Sequence, residues 1–516
     1  MIRIGVDVGG TNTDAVLMDL TGFRAGSKQL TTPDIISGVK NAISETLTNS
    51  GETVSDIDVL MIGTTHFVNA LVRRSDLERT GVIRICLPSG ASIPPFSDWP
   101  DALTRAMGGK FRLIHGGYEM DGREIAPLDE VELLQAVQEL LDEGVTQIAL
   151  SSVFSIVRSD MEERAYDLIT QAHPNLSVTK SSDIGRLGLL ARENAAIING
   201  SLRPLAEKVV HSFELLSAEL NLKCPVYFTK NDGTLISADQ VTQLPVLTFA
   251  CGPTNSMRGA AFLTGIKDGL VADVGGTTMD VGEIQNGFPR PAGTAVSVAD
   301  VQTNFSMPDV ISIGLGGGSI INRHARTVGP DSVGHLLTSK AIAFGGTVLT
   351  ASDIAVASGR TQMGDKPVGP LNDLPQLLLA LDQKAADAIA RSRTSNKSTQ
   401  LVAVGGGAVL LPDELDGLPV LRPHHYDLAN AIGAAIAQVS GEASSVVTIE
   451  EGMTREDAIK SIVANAENTA VRNGADPTTL QILSQSDMPL GYLPGNNLAI
   501  SVTVIGDLAM VGQTNE

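Results

Sequence analysis

Cysteine is scarce in this chain: there are 3 in 516 residues, Cys86, Cys224 and Cys251, and they lie far apart. None belongs to a CxxC pair, which argues against a disulfide framework, a zinc ribbon and a thiolate-bound cluster. The chain also lacks an initial basic segment followed by an apolar stretch, and it has no uninterrupted apolar run of about 18 residues, the length that crosses a membrane. We therefore expect a cytoplasmic protein with no membrane partner.

Positively charged residues are also few relative to negatively charged ones. Lys and Arg number 37 against 58 for Asp and Glu, which gives a formal net charge of -21. A nucleic-acid backbone would meet a repulsive mean field, so nucleic acid is not an expected partner. Glycine, by contrast, is plentiful at 52, and 43% of the residues are hydrophobic. This composition is globular, and the length predicts at least two domains.

Apolar runs and helically spaced segments alternate along the chain, which predicts a layered α/β architecture. The predicted strands are 2–8, 13–18, 57–64, 81–87, 146–151, 400–404 and 498–505, and the predicted helices are 34–49, 129–142, 159–172, 376–393, 427–439 and 454–473. A long helical pattern at 187–220 connects the two halves, and Gly200 and Pro204 predict a kink or a split within it. The Pro/Gly-rich segment 360–375 predicts a loop.

The opening segment is repeated in the middle of the chain. DVGGTNTDAV at 7–16 and DVGGTTMDVG at 273–282 share six of ten positions without a gap. In each copy two apolar runs flank a Gly-Gly-Thr turn, which is typical of a β-hairpin. The repeat predicts two halves built on one plan.

The Gly-Gly-Thr turns predict phosphate-binding sites. Successive backbone N–H groups in such a turn can hold phosphate oxygens because no Cβ blocks their approach. Asp7 and Asp273 end the strands before the two turns, where a carboxylate can hold hydrated Mg²⁺ that bridges phosphates. One such hairpin alone could be purely structural, but two facing copies and a third Gly-rich turn favour a polyphosphate site. The predicted nucleotide-binding residues are Gly9, Gly10, Thr11, Asn12, Thr13, Gly275, Gly276, Thr277, Thr278, Gly405, Gly406 and Gly407.

Eight segments together resemble one known family. They are VDVGGTNTDAVLMD at the start, GTTHFVNAL (63–71), RENAAIINGSLRP (192–204), CGPTNSMRGA (251–260), VADVGGTTMDVG (271–282), IGLGGGSI (313–320), VGPDSVG (328–334) and VAVGGGAVL (402–410). The hairpins and the later Gly-rich turn resemble the actin, sugar kinase and Hsp70 ATPase superfold. Within it, the chain resembles the A subunit of the hydantoinase and 5-oxoprolinase family.

The resemblance implies a two-lobed, actin-like α/β fold of duplicated ribonuclease H-like domains, with ATP in the cleft between the lobes. It implies an N-terminal lobe at 1–190 with the first phosphate hairpin. A second lobe at 191–440 would carry the second hairpin and the adenosine loop, and a C-terminal extension would occupy 441–516.

The resemblance also implies an activity, ATP-dependent opening of a cyclic amide such as a hydantoin, 5-oxoproline or a related lactam. ATP and Mg²⁺ would be required, and an oligomer with a B-type or other partner subunit is expected. Asp7, Asp273, Asp14 and Asp280 are the catalytic candidates, and Asp7 and Asp273 are also the metal candidates.

The first lobe carries the substrate candidates His66, Asn69, Glu193 and Asn194. Each also has a plainer interpretation, because a single histidine is often a hydrogen-bonded structural residue and a polar pair on a helix is often a solvated face. The segment 231–234 and His66 depart from the family pattern, which leaves the ring amide unidentified. The glycines at 314–318 are compatible with either an anion nest or a hinge.

Other functions of the same superfold are compatible with the hairpins. A small-molecule kinase is one alternative, although the Cys/His cluster of one sugar kinase class is missing. An ATP-switched assembly protein is another, since hydrolysis could drive lobe closure without a small substrate. An activator of a radical dehydratase fits less well, because its cluster needs cysteines at a dimer seam.

Overall fold

The computed structural model describes residues 1–31, 35–293, 296–394, 400–449, 453–491 and 496–509. Within these ranges the strands are β1 (Arg3–Val8), β2 (Asn12–Asp19), β3 (Gly22–Leu30), β4 (Val59–Thr64), β5 (Thr80–Leu87), β6 (Phe111–His115), β7 (Gln147–Ser152), β8 (Ser177–Lys180), β9 (Val226–Thr229), β10 (Thr234–Ser237), β11 (Gly269–Val274), β12 (Met279–Gln285), β13 (Phe288–Pro289), β14 (Val296–Val298), β15 (Val301–Thr303), β16 (Val310–Ile313), β17 (Ser319–Asn322), β18 (Thr327–Ser332), β19 (Leu401–Val404), β20 (Glu414–Leu415), β21 (Leu418–Leu421), β22 (Gln438–Thr448), β23 (Gln481–Pro489) and β24 (Asn497–Gly506).

The helices within the same ranges are α1 (Ile35–Ser50), α2 (His66–Arg73), α3 (Asp101–Met107), α4 (Glu130–Asp142), α5 (Asp160–Ala172), α6 (Leu189–Leu220), α7 (Ala238–Gln243), α8 (Cys251–Thr264), α9 (Leu337–Lys340), α10 (Ala351–Ala357), α11 (Leu374–Ser392), α12 (Ala429–Ala435) and α13 (Arg455–Arg472). The predicted alternation of strands and helices is confirmed, although residue 34, predicted to begin the first helix, lies outside the described residues. None of these helices is long and apolar enough to cross a membrane.

The opening hairpin lies in a nine-stranded sheet with the order β23-β24-β22-β10-β9-β4-β1-β2-β3. β1 and β2 are antiparallel, whereas β4 runs parallel to β1 and β9 runs parallel to β4. Because parallel strands share a direction, the carboxyl ends of β1, β4 and β9 meet at one edge of the sheet. That edge carries the first Gly-Gly-Thr turn.

Sheet membership divides the chain differently from the predicted boundaries at 190 and 440. Strands β9 and β10 follow residue 190, and β22 to β24 span the predicted C-terminal extension, yet all five belong to the sheet of the opening hairpin. One face of β22 and β24 packs on α13 through residues such as Ala466 and Val502, which are fully buried. The C-terminal segment therefore completes the first sheet, and the limits of independently folding units stay a prediction.

A second sheet carries the repeated hairpin, in the order β13-β12-β11-β19-β21-β20 with β16 paired to β12. β11 and β12 are antiparallel, and β19 runs parallel to β11. A separate four-stranded parallel sheet, β6-β5-β7-β8, is formed by the residues between β4 and α6. Each sheet has a buried core of aliphatic side chains.

The long helix α6 is not split. It runs without interruption from Leu189 to Leu220 through both Gly200 and Pro204. Its residues from Arg192 to Leu202 are buried, and Gly200 lies against Thr80 and Thr179 of neighbouring strands. Packing stabilises the helix enough to offset the local cost of proline, so the predicted split was wrong, while the alternative of a kink stays a prediction.

The helix predicted at 427–439 is shorter than expected. It is helical only from Ala429 to Ala435, after a short 3₁₀ turn at Tyr426–Leu428. Gln438 and Val439 pair instead with Thr234 and Leu235 of β10. Strand pairing in the first sheet therefore ends the helix early.

Candidate active site

The two Gly-Gly-Thr hairpins have the same geometry as well as the same sequence. Asp7 lies directly opposite Asp14 across the first hairpin, and Asp273 lies directly opposite Asp280 across the second. The turns are closed alike: the Gly9 N–H donates to the Asn12 carbonyl at 3.0 Å, and the Gly275 N–H donates to the Thr278 carbonyl at 2.9 Å. Each half thus presents one carboxyl pair beside one glycine turn.

The two turns face one another. A Cβ built on Gly276 would lie 3.5 Å from Oγ1 of Thr11, in the turn of the other hairpin. Gly10, Thr277 and Thr278 are exposed, whereas Asp7 is only 6% exposed. Backbone groups of both turns therefore border one cleft, with the carboxyl pairs at its floor.

A chain of hydrogen bonds joins the two hairpins beneath the turns. Nδ2 of Asn430 lies 3.4 Å from Oδ2 of Asp7, and Oδ1 of Asn430 contacts the hydroxyl of Ser256. The same hydroxyl contacts Oδ2 of Asp273. Asn430 lies on α12 and Ser256 on α8, so two helices carry the connection from one carboxylate to the other.

The Ser256 hydroxyl has more acceptors than it can serve at once. It has a single hydrogen, so it cannot donate to Asn430 and Asp273 together, and its oxygen also lies 3.2 Å from the Gly252 carbonyl. The Asp7–Asn430–Ser256–Asp273 chain therefore joins the two carboxyl groups through uncharged side chains that can donate or accept.

Burial raises the pKa values of the carboxyl groups at both hairpins. Burial raises the pKa of Asp7 to about 7, and the nearby Asp14 carboxylate adds to the rise. Burial also raises the pKa of Asp273, although hydrogen bonding by Ser256 opposes it. For Asp280, burial and the charge of Asp273 raise the pKa to about 6. A cation placed among these groups would favour their ionised forms.

Lys28 supports the carboxyl of Asp14. Its Nζ donates to Oδ2 of Asp14 at 2.7 Å and to the main-chain carbonyl of Asp427 at 2.7 Å. Burial raises the pKa of Asp14 to about 6, and the Lys28 ammonium opposes that rise. Lys28 therefore holds Asp14 in place and connects the first hairpin to the segment before α12.

The third Gly-rich turn packs directly behind the second hairpin. The Gly407 N–H donates to the Val274 carbonyl at 2.7 Å, and a Cβ on Gly405 would overlap Oδ1 of Asp273. Gly406 is exposed, and a Cβ built on it would meet no atom within 4 Å. The turn therefore offers a bare backbone surface beside the cleft, as nucleotide binding requires.

Glycines of the 314–318 segment pack against the turn of the second hairpin. Gly317 and Gly318 donate their N–H groups to the carbonyls of Gly275 and Gly276, at 3.0 and 2.7 Å. A Cβ on Gly316 would lie 2.5 Å from the backbone nitrogen of Thr277. This segment therefore holds the second hairpin turn from behind.

The predicted metal residues fit Mg²⁺ bound through a nucleotide rather than a protein cage. Within the described ranges no group of three or more His, Cys, Asp or Glu side chains could enclose a metal ion. Mg²⁺ commonly uses one or two carboxylates, several waters and substrate phosphates. Asp7 and Asp273, joined through Asn430 and Ser256, match that limited donor set.

The predicted substrate residues fall into two groups. His66 and Asn69 begin α2, directly after the carboxyl end of β4, where Thr64 pairs with Val8 before the first turn. Both are half-buried, and Asn69 donates to Oγ1 of Thr65 at 3.2 Å. Burial lowers the pKa of His66, which favours the neutral form of its imidazole. This pair shares the sheet edge of the first hairpin.

Glu193 and Asn194 are occupied by structural partners. Glu193 is 1% exposed and accepts from Arg84 at 2.8 and 2.5 Å and from Ser151 at 2.6 Å. Asn194 accepts from Trp99 at 2.8 Å and donates to the Gln302 carbonyl at 2.9 Å. None of these partners belongs to either hairpin, so a substrate role for these two residues stays a prediction without support from the geometry.

Sequence reasoning missed Lys28, Ser256 and Asn430. Ser256 lies in CGPTNSMRGA, and Asn430 is the one polar residue of α12, which consists otherwise of alanine, isoleucine and glycine. The sequence signal for Asn430 was a single amide side chain among small apolar residues. Lys28 pairs with Asp14 through the register of β2 and β3, which the sequence alone does not fix.

Two family profiles match the chain. Residues 3–173 match the profile described as hydantoinase/oxoprolinase N-terminal region, and residues 192–375 match the profile described as hydantoinase/oxoprolinase. Together the two matches cover more than half of the 516 residues.

Curated relatives with named activities are distant. The chain is 26% identical over 390 residues to the caprolactamase subunit alpha of Pseudomonas jessenii, covering 69% of this chain and 54% of that protein. It is 28% identical over 391 residues to the acetophenone carboxylase gamma subunit of Aromatoleum aromaticum, covering 69% and 53%. The chain thus spans about half the length of these relatives.

Solved structures share the fold. The ATP-dependent caprolactamase from Pseudomonas jessenii superposes with a TM-score of 0.76 at 18% identity, covering 98% of this chain and 88% of that chain. A nucleotide-free acetone carboxylase superposes with a TM-score of 0.69 at 18% identity and the same coverage. At this identity the likeness establishes the fold alone, and it confirms the predicted two-lobed α/β architecture.

Proposed function

The chain belongs to the hydantoinase/oxoprolinase family, and from this premise we propose that it is an ATP-dependent hydrolase that opens a cyclic amide. The substrate would be a hydantoin, 5-oxoproline or a related lactam. A sequence relative is a caprolactamase subunit, and a structural relative is an ATP-dependent caprolactamase, which supports both the ring amide and the use of ATP.

The observation that carries this proposal is the pair of facing hairpins with their carboxyl groups in the same register. Two glycine turns border one cleft, and Asp7 and Asp273 lie beneath them, joined by Asn430 and Ser256. We assign the phosphates of ATP to the turns at Gly9–Thr13 and Gly275–Thr278, because exposed backbone N–H groups without a blocking Cβ suit phosphate oxygens. The adenosine would lie against Gly405–Gly407.

Mg²⁺ would be held through Asp7 and Asp273. The chemistry supplied there would be positive charge that offsets the charge developing during phosphoryl transfer. Asp14 and Asp280 lie opposite the metal-binding pair and would keep it in place, with Lys28 fixing Asp14 in turn.

ATP addresses the difficulty of opening an unstrained ring amide, whose carbonyl is resonance-stabilised and whose nitrogen is a poor leaving group. The ring carbonyl oxygen would accept the γ-phosphoryl group as ADP leaves. Water would then add at the carbonyl carbon, and the ring C–N bond would break as the nitrogen takes up a proton, which leaves an acyl phosphate. A second water would hydrolyse the acyl phosphate. The products would be the ring-opened acid, ADP and inorganic phosphate.

A partner subunit belongs to the proposal as well. Both curated relatives described above are subunits of larger enzymes by name. We therefore propose that this chain works with a hydantoinase B-type or another partner, in an oligomer, and in the cytoplasm.

The test is ATP hydrolysis by the purified chain against a panel of 5-oxoproline, hydantoins, lactams and sugars, with and without the product of a neighbouring gene. We expect Mg²⁺-dependent hydrolysis that a ring amide stimulates and a ring-opened acid as product. Phosphosugar formation would replace the proposal with a kinase. ATPase activity indifferent to every small molecule would replace it with an ATP-switched assembly protein.

A further inference from the structure

A cavity of about 730 Å³ lies apart from the facing hairpins, between the four-stranded sheet and the nine-stranded sheet. None of the residues predicted from the sequence to bind nucleotide, metal or substrate is among those that line it. The cavity is large enough for a small ring compound, since ligand pockets commonly measure roughly 300–1,000 Å³.

The carboxyl ends of three parallel strands converge on this cavity. Ser155 follows β7 by three residues, the 182–187 segment follows β8, and Lys230 directly follows β9. β7 and β8 belong to the four-stranded sheet, whereas β9 belongs to the nine-stranded sheet. Open α/β sheets bind their ligands outside the carboxyl ends of their strands. Here the carboxyl ends of strands from two sheets border the same cavity.

The cavity is also in line with the first hairpin. Val8 pairs with Thr64, and Ile62 pairs with Phe228, so Lys230 continues the row that Val8 and Thr64 begin. Adjacent strands lie about 4.8 Å apart, which places the backbone of Lys230 roughly 10 Å from the strand that leads into the glycine turn. A ligand at the Lys230 end of the cavity would therefore lie along the sheet edge on which the phosphate hairpin opens, whereas the cavity walls from β22, β23 and β24 lie farther from the hairpin.

The lining joins a polar corner to an apolar wall. Nζ of Lys230 lies 2.9 Å from Oγ of Ser440 and 3.2 Å from Oδ2 of Asp232. Leu235, Leu244, Leu247 and Ile500 supply apolar surface. A lactam ring has the same division, because its methylene groups are apolar and its amide presents one N–H and one C=O side by side.

Ser155 gives independent support for a ligand. It is 2% exposed, it lines the cavity, and its hydroxyl has no hydrogen-bond partner among the described residues. A buried hydroxyl without a partner costs free energy that a bound polar group would recover. The Ser155 hydroxyl can donate to a carbonyl or accept from a ring N–H.

Negative charge exceeds positive charge in the lining. Glu163 and Asp183 are paired with Lys180, at 2.7 and 3.4 Å. The remaining lining charges are the cations Lys230 and Arg186 and the anions Asp232 and Glu442. A carboxylate that entered this space would find no excess of positive charge to replace its hydration, whereas an uncharged ring would lose little.

We propose that this cavity binds the cyclic amide, with Lys230 and Ser155 holding the amide edge and the leucines holding the ring, and that it favours a ring without a carboxylate. The inference rests on the proposed function and specifies its substrate. A neutral lactam is then the preferred ligand, and 5-oxoproline, which carries a carboxylate, is disfavoured.

The test compares ε-caprolactam with 5-oxoproline on the full chain. Calorimetry measures binding of each compound in the presence of Mg²⁺ and a nonhydrolysable ATP analogue, and binding of the analogue is measured separately. Two tryptophan variants probe the location. Ser444 and Thr448 are both exposed on β22, and each bonds its direct cross-strand neighbour on β24, but only Ser444 lines the cavity.

We expect ε-caprolactam to bind at least 10-fold more tightly than 5-oxoproline, a preference of about 1.4 kcal/mol. Ser444→Trp should abolish lactam binding and leave binding of the analogue unchanged, and Thr448→Trp should change neither. Equal or tighter binding of 5-oxoproline, no binding of any lactam, or equal effects of the two tryptophan variants would overturn the inference while leaving the nucleotide site intact. Failure to bind the analogue would instead overturn the proposed function.

Discussion

At the scale of single residues, Asn430 and Ser256 can join two carboxylates because the side chains of Asn430 and Ser256 are uncharged. A charged residue between Asp7 and Asp273 would fix their ionisation, whereas an amide and a hydroxyl can both donate and accept hydrogen bonds. The chain they form links a carboxyl group of one hairpin to a carboxyl group of the other. These two residues therefore position the carboxylates.

Ser256→Ala tests this positioning role. Removing the hydroxyl leaves Asp273 without its neutral neighbour, so we expect Mg²⁺-dependent turnover to fall about 10-fold, the loss of roughly one hydrogen bond to a charged group. Nucleotide binding without Mg²⁺ should change little. Steady-state kinetics across Mg²⁺ concentrations measures the effect. Ser201→Ala is the control, because that buried helical hydroxyl donates to the Ile198 carbonyl and has no other side-chain hydrogen bond among the residues that the structure describes.

Combining Ser256→Ala with Asn430→Ala checks that the two act together. If they form one connection, the double variant should lose little more turnover than either single variant. Losses that multiply would show that the two residues act separately.

Glu193 illustrates a residue whose chemistry is used for stability. Its carboxylate and the Arg84 guanidinium are each 1% exposed and form a buried ion pair with two hydrogen bonds. Neutralising one partner leaves the other charge buried and uncompensated, which costs about 3–5 kcal/mol.

Glu193→Gln should therefore lower the free energy of unfolding by an amount of that order, measured by denaturant titration. Glu130→Gln is the matched control, because its ion pair with Arg164 is exposed on both sides and should contribute little. Unchanged stability together with a lost response to the ring amide would assign Glu193 to the substrate after all.

At the scale of elements, the site depends on how α8 and α12 cross. A Cβ on Gly259 would overlap the Ala429 carbonyl, and a Cβ on Gly433 would overlap the Asn255 carbonyl. The two helix backbones therefore approach each other closely at two reciprocal points. That approach brings Ser256 of α8 within reach of Asn430 of α12.

Gly259→Ala should disrupt this crossing. The added methyl group meets main-chain atoms that cannot rotate away, so we expect the free energy of unfolding to fall by about 1–3 kcal/mol and Mg²⁺-dependent turnover to fall with it. Gly252→Ala in the same helix is the control, because its Cβ would meet only the Thr65 methyl group at 3.3 Å. Thermal unfolding and turnover are measured for both variants and for the parent. Equal behaviour of the two variants would contradict the proposed role of the close helix crossing.

The third glycine turn can be tested in the same way. Gly406 has open space where a Cβ would stand, so Gly406→Val should fold normally and raise the dissociation constant for ATP about 10-fold or more by blocking close approach of the nucleotide. Gly369→Val, at another exposed glycine with open space, should bind ATP as the parent does. Calorimetry gives both constants. Parent-like binding by Gly406→Val would place the nucleotide elsewhere.

The elements themselves could be predicted from the sequence because their signals are local. The hairpins follow from apolar runs around Gly-Gly-Thr, and α13 follows from helical spacing between 454 and 473. Errors arose where distant partners decide. Packing on both sides preserves α6 through Pro204, and pairing with β10 converts Gln438 and Val439 from predicted helix to strand.

At the scale of the whole molecule, the repeat predicted two similar halves but not how they meet. The Asp7–Asp14 and Asp273–Asp280 pairs follow from each hairpin alone, whereas the connection through Asn430 and Ser256 needs the arrangement of both sheets and two helices. The sequence likewise could not show that β22 to β24 complete the first sheet, because the pairing of Val439 with Gly506 joins residues far apart in the chain.

The central claim is that both hairpins act on one bound Mg²⁺–ATP, and the most direct test is a double-variant cycle with Asp7→Asn and Asp273→Asn. Each single variant should retain its fold and lose about 10²-fold or more in Mg²⁺-dependent ATP turnover, the scale of a lost metal-orienting carboxylate. Because the two carboxylates would serve one site, the double variant should be hardly slower than either single variant. Parent-like turnover in both single variants, or losses that simply multiply in the double variant, would contradict the account.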